Sequence, residues 1–283
     1  MDDKILENTT TKVLHLEEVY VLSTDRLKVS DLFPFQSPWV RMSGREVRYY
    51  TNEPFDMQVY ITSWALEVED VVTLIWDSKQ HTVTYIEGKQ YTAELLQFWV
   101  LHTFFPLVLE FEKRYTILHV SAVEIGGNVV LFSAFSGGGK STLVDYFIQQ
   151  GHTMYGDDTI AIEEQHDGYD VIASYPFHRP YRQPEALGYD VPNFAKQVKS
   201  LSCMYVLEKA TTQAKIYIEE LTGVEKFEAL YQSRFVTFDY MKKERYLFAS
   251  SMAKKVKVYK IIVPWELSRL EEVYQAILTH NGV

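Results

Sequence analysis

Asn128-Val-Val-Leu-Phe-Ser-Ala-Phe-Ser-Gly-Gly-Gly-Lys-Ser-Thr-Leu-Val-Asp-Tyr-Phe-Ile148 is the stretch on which the reading of this chain turns. Val129-Val-Leu-Phe132 reads as a buried strand and Ser141 to Gln150 as a helix. Between them, Gly137-Gly-Gly139 removes three side chains in a row, so bare backbone can come close to a ligand. The first amides of a helix have no partner within it and point at whatever occupies the preceding loop. A strand, a glycine-rich turn and a helix in this order therefore make a natural seat for an anion.

The spacing sharpens that expectation. Ala134 to Ser141 follows the G-x-x-x-x-G-K-[ST] pattern of a phosphate-binding P-loop (Walker A), with alanine at the first glycine position. The pattern assigns nucleotide binding to Ser136, Gly137, Gly138, Gly139, Lys140, Ser141 and Thr142. Lys140, expected at the surface of the loop, would neutralise the β- and γ-phosphates of ATP, and the Ser141 hydroxyl would ligate Mg²⁺. Past the helix come Gly151-His152 and then Asp157-Asp158, at the mouth of the apolar strand Thr159-Ile-Ala-Ile162. Two adjacent carboxylates there are costly unless a metal, a proton or a basic group compensates them. Beside a phosphate loop, such a pair can hold Mg²⁺ and accept a hydroxyl proton.

Taken together, His119, the loop Ala134 to Ser141, Gly151-His152 and Asp157-Asp158 resemble the HPr kinase/phosphorylase superfamily, and within it most of all the smaller lasso-peptide precursor kinases. The resemblance is clear over about residues 115 to 165. It implies an ATP-dependent serine kinase, acting on a peptide or protein, with an α/β P-loop core built on a mixed sheet. Asp157 and Ser141 would hold Mg²⁺ and Asp158 would take the hydroxyl proton; His119 and Lys140 would stand beside the phosphates. Where the bifunctional members carry His-Gly, this chain has His119-Val120, and no Glu-x-Arg-Gly signature follows the aspartates. Phosphorolysis and HPr itself as substrate are therefore not implied, and the C-terminal serine of a lasso-peptide precursor is the implied acceptor. A kinase for a small hydroxylated molecule and a nucleotide-binding regulatory module are the alternatives.

Upstream, Val19 to about Tyr91 is β-rich, with Val71-Val-Thr-Leu-Ile-Trp76 and Thr82-Val-Thr-Tyr-Ile86 separated by the turn Asp77-Ser-Lys-Gln80. Thr92 reads as the cap of a helix that continues into an apolar run, Phe98 to Phe111, expected to be buried and too short to cross a bilayer. These signals predict a β-rich accessory domain over 1–95 and a catalytic domain over 96–283. Leu118 to Ile125 and Asn128 to Ser133 read as a hairpin turning at Gly126-Gly127. Ser202 to Leu207 reads as a strand, and Gly223 to Phe235 and Trp265 to Thr279 as helices. Lys254 to Lys260, lysines alternating with valines, reads as an edge strand guarded by charge. His152 is expected to finish the P-loop helix. The loop Tyr175-Pro-Phe-His-Arg-Pro-Tyr-Arg-Gln-Pro184 offers Arg179 or Arg182 to a transferring phosphoryl group.

The 283 residues are 47% hydrophobic, enough for a substantial core, and carry a net charge of −10, which argues against a nucleic-acid partner. The single cysteine, Cys203, sits in an apolar run and reads as a buried, inert thiol. With no basic, apolar leader in Met1-Asp-Asp-Lys-Ile-Leu-Glu7, the expected location is cytoplasmic, without a membrane partner and with the oligomeric state open.

Overall fold

A computed structural model of the protein describes residues 20–23, 28–54, 63–135, 137–180, 184–235, 238 and 241–283. The chain forms two compact units. The first holds the described residues up to Thr116 together with 184–187, 238 and 241; the second holds those of Ile117–Tyr181, Gly188–Thr237 and Lys242–Val283.

In the first unit the strands β1 (Tyr20–Ser23), β2 (Phe35–Gln36), β3 (Val40–Met42), β4 (Arg45–Thr51), β5 (Ser63–Val68), β6 (Val72–Asp77) and β7 (Thr82–Glu87) make one sheet. Its order is β1-β7-β6-β5-β4-β2, with β3 also on β4. From β4 to β7 it is an antiparallel meander, as the alternation of the sequence predicts. The β6–β7 turn is set by Asp77, whose carboxylate accepts the amides of Lys79 and Gln80, so the side chain stands in for a backbone partner.

A helix, α1 (Ala93–Phe111), belongs to this unit. Thr92 caps it by accepting the Leu95 amide at 3.2 Å, and its middle, Val100–Phe104, is wound as a π-turn. Trp64 of β5 is fully buried, its ring centroid 4.7 Å from that of Phe104 and 4.9 Å from that of Phe111. This packing ties the helix to the meander, so the units divide after Thr116 whereas the sequence suggests a division near residue 95. The helix is also longer than the apolar run alone. With the residues that precede the run, the 19-residue helix is long and apolar enough to cross a membrane by length and composition; most of it is buried within the protein, as expected of the apolar run.

The second unit is built on β8 (Thr116–Leu118), β9 (Ser121–Ile125), β10 (Asn128–Ser133), β11 (Met154–Gly156), β12 (Ile160–Glu164), β13 (Tyr169–Ile172), β16 (Lys199–Ala210), β17 (Tyr217–Glu220) and β18 (Lys257–Pro264), one mixed sheet among the described residues. A separate pair, β14 (Phe177–His178) and β15 (Tyr189–Asp190), stands beside it. β9 and β10 form the expected antiparallel hairpin, whereas β10, β16 and β18 are mutually parallel. β18 lies between β16 and β17. It is therefore an interior strand, which overturns the edge reading of Lys254 to Lys260; Lys254 and Lys255 in fact end a helix. The flanking helices are α2 (Lys140–Gln149), α3 (Gly223–Gln232), α4 (Lys242–Lys255) and α5 (Leu270–His280).

α2 and α5 bury Leu143, Val144, Phe147, Val273 and Ile277 against Val130, Phe132, Tyr205 and Ile261 of the parallel strands. A single buried Leu, Ile or Phe side chain contributes about 1.5–3 kcal/mol, so this layer fixes where α2 begins. The fold as a whole is mixed α/β, with a β-rich N-terminal part.

Candidate functional site

β10 delivers the chain to one end of the sheet, where Gly137, Gly138 and Gly139 lead into α2. Gly139, the residue before the helix, has φ +88°, a left-handed conformation that glycine adopts without penalty. Its lack of a side chain leaves the first-turn amides of α2 without a side-chain cap. Gly138 is required by space: a Cβ there would fall 2.7 Å from Ala134 Cβ and 2.8 Å from the Phe135 carbonyl oxygen. The alanine that departs from the loop pattern is thus accommodated by the glycine opposite it. Ser136 lies outside the described residues.

Lys140 is buried, not displayed on the loop surface as its place in the motif suggests. Its Nζ is 3.7 Å from Asp158 Oδ1. The same carboxylate has Arg179 Nη2 at 3.4 Å and His119 Nε2 at 3.8 Å. His119 Nδ1 is 2.9 Å from the Asp158 carbonyl oxygen. Because a carbonyl can only accept, Nδ1 carries the proton and the ring orientation is fixed. Asp158 itself has φ +67°, a left-handed conformation that few non-glycine residues adopt and that aspartate tolerates better than most. That twist separates the two neighbouring carboxylates, so Asp157 looks elsewhere.

Asp157 is buried against a different set of groups. Its Oδ1 accepts hydrogen bonds from Ser121 at 2.6 Å and from Ser141 at 3.1 Å. Its Oδ2 is 3.0 Å from His178 Nδ1, and His178 Nε2 is 3.6 Å from Asp145 Oδ1. Neither nitrogen of His178 makes an aligned hydrogen bond, so both contacts are close approaches only. Burial alone pushes the Asp157 carboxyl up, but the His178 ring and the Ser121 and Ser141 hydroxyls outweigh it and hold the group well below the usual carboxylate range. Tyr175 donates to the Asp157 carbonyl at 3.0 Å, its own hydroxyl held in the neutral form by burial. Tyr189 closes the far side of His178, ring edge to ring face at 5.5 Å, and donates to Asp145 at 2.5 Å.

Of the residues expected from sequence, Lys140, Ser141, Asp157, Asp158, His119 and Arg179 thus converge, and Thr142 follows on the same first turn of α2. Arg182 lies outside the described residues. His152 stands apart: its amide bonds the Phe147 carbonyl and that of Gly151 the Ile148 carbonyl, which ends α2, while its ring reaches the Glu124 carbonyl and Tyr274. Sequence reasoning missed Ser121 and His178. Ser121 opens an ordinary strand, and His178 sits 21 residues beyond Asp157 on the short strand β14, within a stretch that by sequence reads as a loop; no spacing rule marks either.

Among the described residues no group of three His, Cys, Asp or Glu side chains could hold a metal ion. Mg²⁺ does not require one, since it is commonly held by one or two protein oxygens with phosphates and water completing its shell. Ser141 Oγ and Asp157 Oδ1 are two such hard oxygen donors side by side, and they fit the ion.

No protein-family model matches the chain, and neither does any curated protein. Among solved structures, the Hpr(Ser) kinase/phosphatase from Coxiella burnetii aligns with a TM-score of 0.38 and 13% identity, over 58% of this chain and 95% of that one. At that similarity the residues themselves carry the functional reading.

Proposed function

We propose that the protein is an ATP-dependent kinase that phosphorylates a serine hydroxyl of a peptide or protein, with the C-terminal serine of a lasso-peptide precursor as the acceptor its sequence resemblance implies. The observation that carries the kinase reading is the meeting of consecutive loop residues with consecutive carboxylates: Ser141 on Asp157 and Lys140 on Asp158. A glycine-rich turn that bound nothing would have no use for a buried lysine and two differently partnered aspartates.

In this reading the loop amides and Lys140 receive the β- and γ-phosphates, and the terminal phosphate competes with Asp158 for the Lys140 ammonium. Ser141 and Asp157 would hold Mg²⁺, which when bound offsets the charge of the phosphates. Ser121 and His178 keep Asp157 ionised and aimed at that position. Asp158 accepts the proton as the serine oxygen bonds to the γ-phosphorus and the bond to the ADP oxygen breaks. Arg179 stands next to the same carboxylate, placed to meet charge on the transferring group. His119, anchored through Nδ1, orients Asp158.

Incubating the protein with ATP, Mg²⁺ and a precursor peptide ending in serine tests the proposal. Addition of about 80 Da to that peptide, and none to its serine-to-alanine counterpart, is expected, because one phosphoryl group replaces one proton. ATP binding without transfer to any peptide or small hydroxylated acceptor would overturn the kinase reading.

A further inference from the structure

The parallel strands β10, β16 and β18 end at the same edge of the sheet, with Lys209 opposite Val263 and Ala210 opposite Pro264. Ligands of open α/β sheets collect at such carboxyl ends. Next to the glycine-rich loop, this edge holds a cavity of about 290 Å³ lined by Gly139 and Thr142 on one side and by Leu207, Val263, Trp265 and Leu267 on the other. Its lining is apolar apart from Thr142 and Glu266. The Trp265 indole lies directly against the loop, since a Cβ on Gly139 would come within 3.2 Å of the ring. Lys209 Nζ sits 3.9 Å from the ring centroid and steadies the indole. The indole nonetheless keeps 41% of its surface exposed.

From this juxtaposition we infer that the cavity receives the purine base of the nucleotide and that Trp265 is the aromatic surface it packs on. The inference rests on the nucleotide reading above and adds the part of the ligand that the phosphate loop cannot recognise. The cavity is at the small end of the range for small-molecule sites, roughly 300–1,000 Å³, which suits a flat heterocycle and excludes a folded peptide. Thr142 on its wall directly follows Ser141, so the cavity adjoins the seat proposed for the phosphates. An exposed tryptophan beside a phosphate seat is the type of group on which bases stack, an interaction worth roughly 5- to 150-fold in affinity.

Calorimetry on the full chain with Mg²⁺ tests this by comparing ATP with inorganic tripolyphosphate, which has the phosphates and no base. Trp265→Ala should weaken ATP by about 5- to 150-fold and leave tripolyphosphate unchanged, while Trp265→Phe should recover most of the loss. Because the side chain is partly exposed, both variants should fold, which circular dichroism can verify. Unchanged ATP affinity in Trp265→Ala, with the wild type binding both ligands, overturns the base pocket and spares the phosphate site. Equal losses for both ligands also overturn it, since the indole would then only be shaping the loop. If the wild type binds neither ligand, the nucleotide reading fails and the pocket with it.

Discussion

Ser141 Oγ donates to Asp157 Oδ1 at 3.1 Å across a separation of 16 residues, and the residues beside them, Lys140 and Asp158, are paired at 3.7 Å. Two neighbouring positions on a helix start thus read two neighbouring positions after a strand. The register makes the site a single unit in which changing one member has a consequence specific to its partner.

Lys140→Ala should lower ATP affinity by roughly 10- to 150-fold, the equivalent of the 1.5–3 kcal/mol typical of a hydrogen bond to a charged group. Because Lys140 is buried beside Asp158, the variant should also lose some stability. Asp158 keeps Arg179 at 3.4 Å, so the loss should stay within about 1–3 kcal/mol. Calorimetry and urea unfolding separate the two effects; wild-type ATP affinity in a folded Lys140→Ala would remove the loop from nucleotide binding.

The two aspartates should fail differently when turned into amides. Asp158→Asn should bind Mg²⁺ and ATP almost normally and lose about 10²- to 10⁴-fold in kcat, the usual range for a missing general base. Asparagine also tolerates a positive φ, so the backbone at 158 should hold. Asp157→Asn should demand more Mg²⁺, and extra metal should restore part of its rate. Initial rates against Mg²⁺ concentration decide the matter: rescue of Asp158→Asn but not of Asp157→Asn would exchange the two roles.

Acid should expose the environment of Asp157. Its pKa in the folded protein is held below its unfolded value of about 3.9, so the stability it contributes is complete above that pH and is lost as pH falls toward the folded value. Urea unfolding between pH 2 and 5 should therefore show a shallower acid decline for Asp157→Asn than for the wild type, with the variant less stable at pH 7. His178→Gln should move the wild-type curve the same way by removing the leading group that holds the carboxylate ionised. Parallel declines for all three proteins would contradict the assignment.

Cys203 offers a control remote from the site. It is buried, and burial pushes its thiol up to about 11, so at pH 8 almost none is thiolate. Iodoacetamide should leave the folded chain unlabelled and alkylate it once in 6 M urea; rapid labelling of the native protein would show the strand around Cys203 to be open.

The sequence made the local parts of this site legible. Strand, loop and helix are contiguous, the β9–β10 turn is announced by two glycines, and Asp157-Asp158 stands out against an apolar strand. Long-range partners were not legible. Lys254 to Lys260 looks like a charged edge because its lysines alternate with valines, yet β16, some fifty residues earlier, covers one side of β18 and β17 the other. α4 escaped for a related reason: its buried stripe is Arg245, Ala249 and Met252, while Tyr246 and Leu247 are more than half exposed, so its hydrophobic pattern points the wrong way. The burial of Lys140 and the placing of His178 depend on segments that meet only after folding.

The crowding between Ala134 and Gly138 has an evolutionary corollary. Position 134 can drift between glycine and alanine because the methyl has room only while position 138 stays bare. Position 138 has no such latitude, since the Phe135 carbonyl would obstruct a methyl there even with glycine at 134. The loop therefore has one permissive and one fixed position, and any lineage carrying alanine at the first can be expected to have kept glycine at the second.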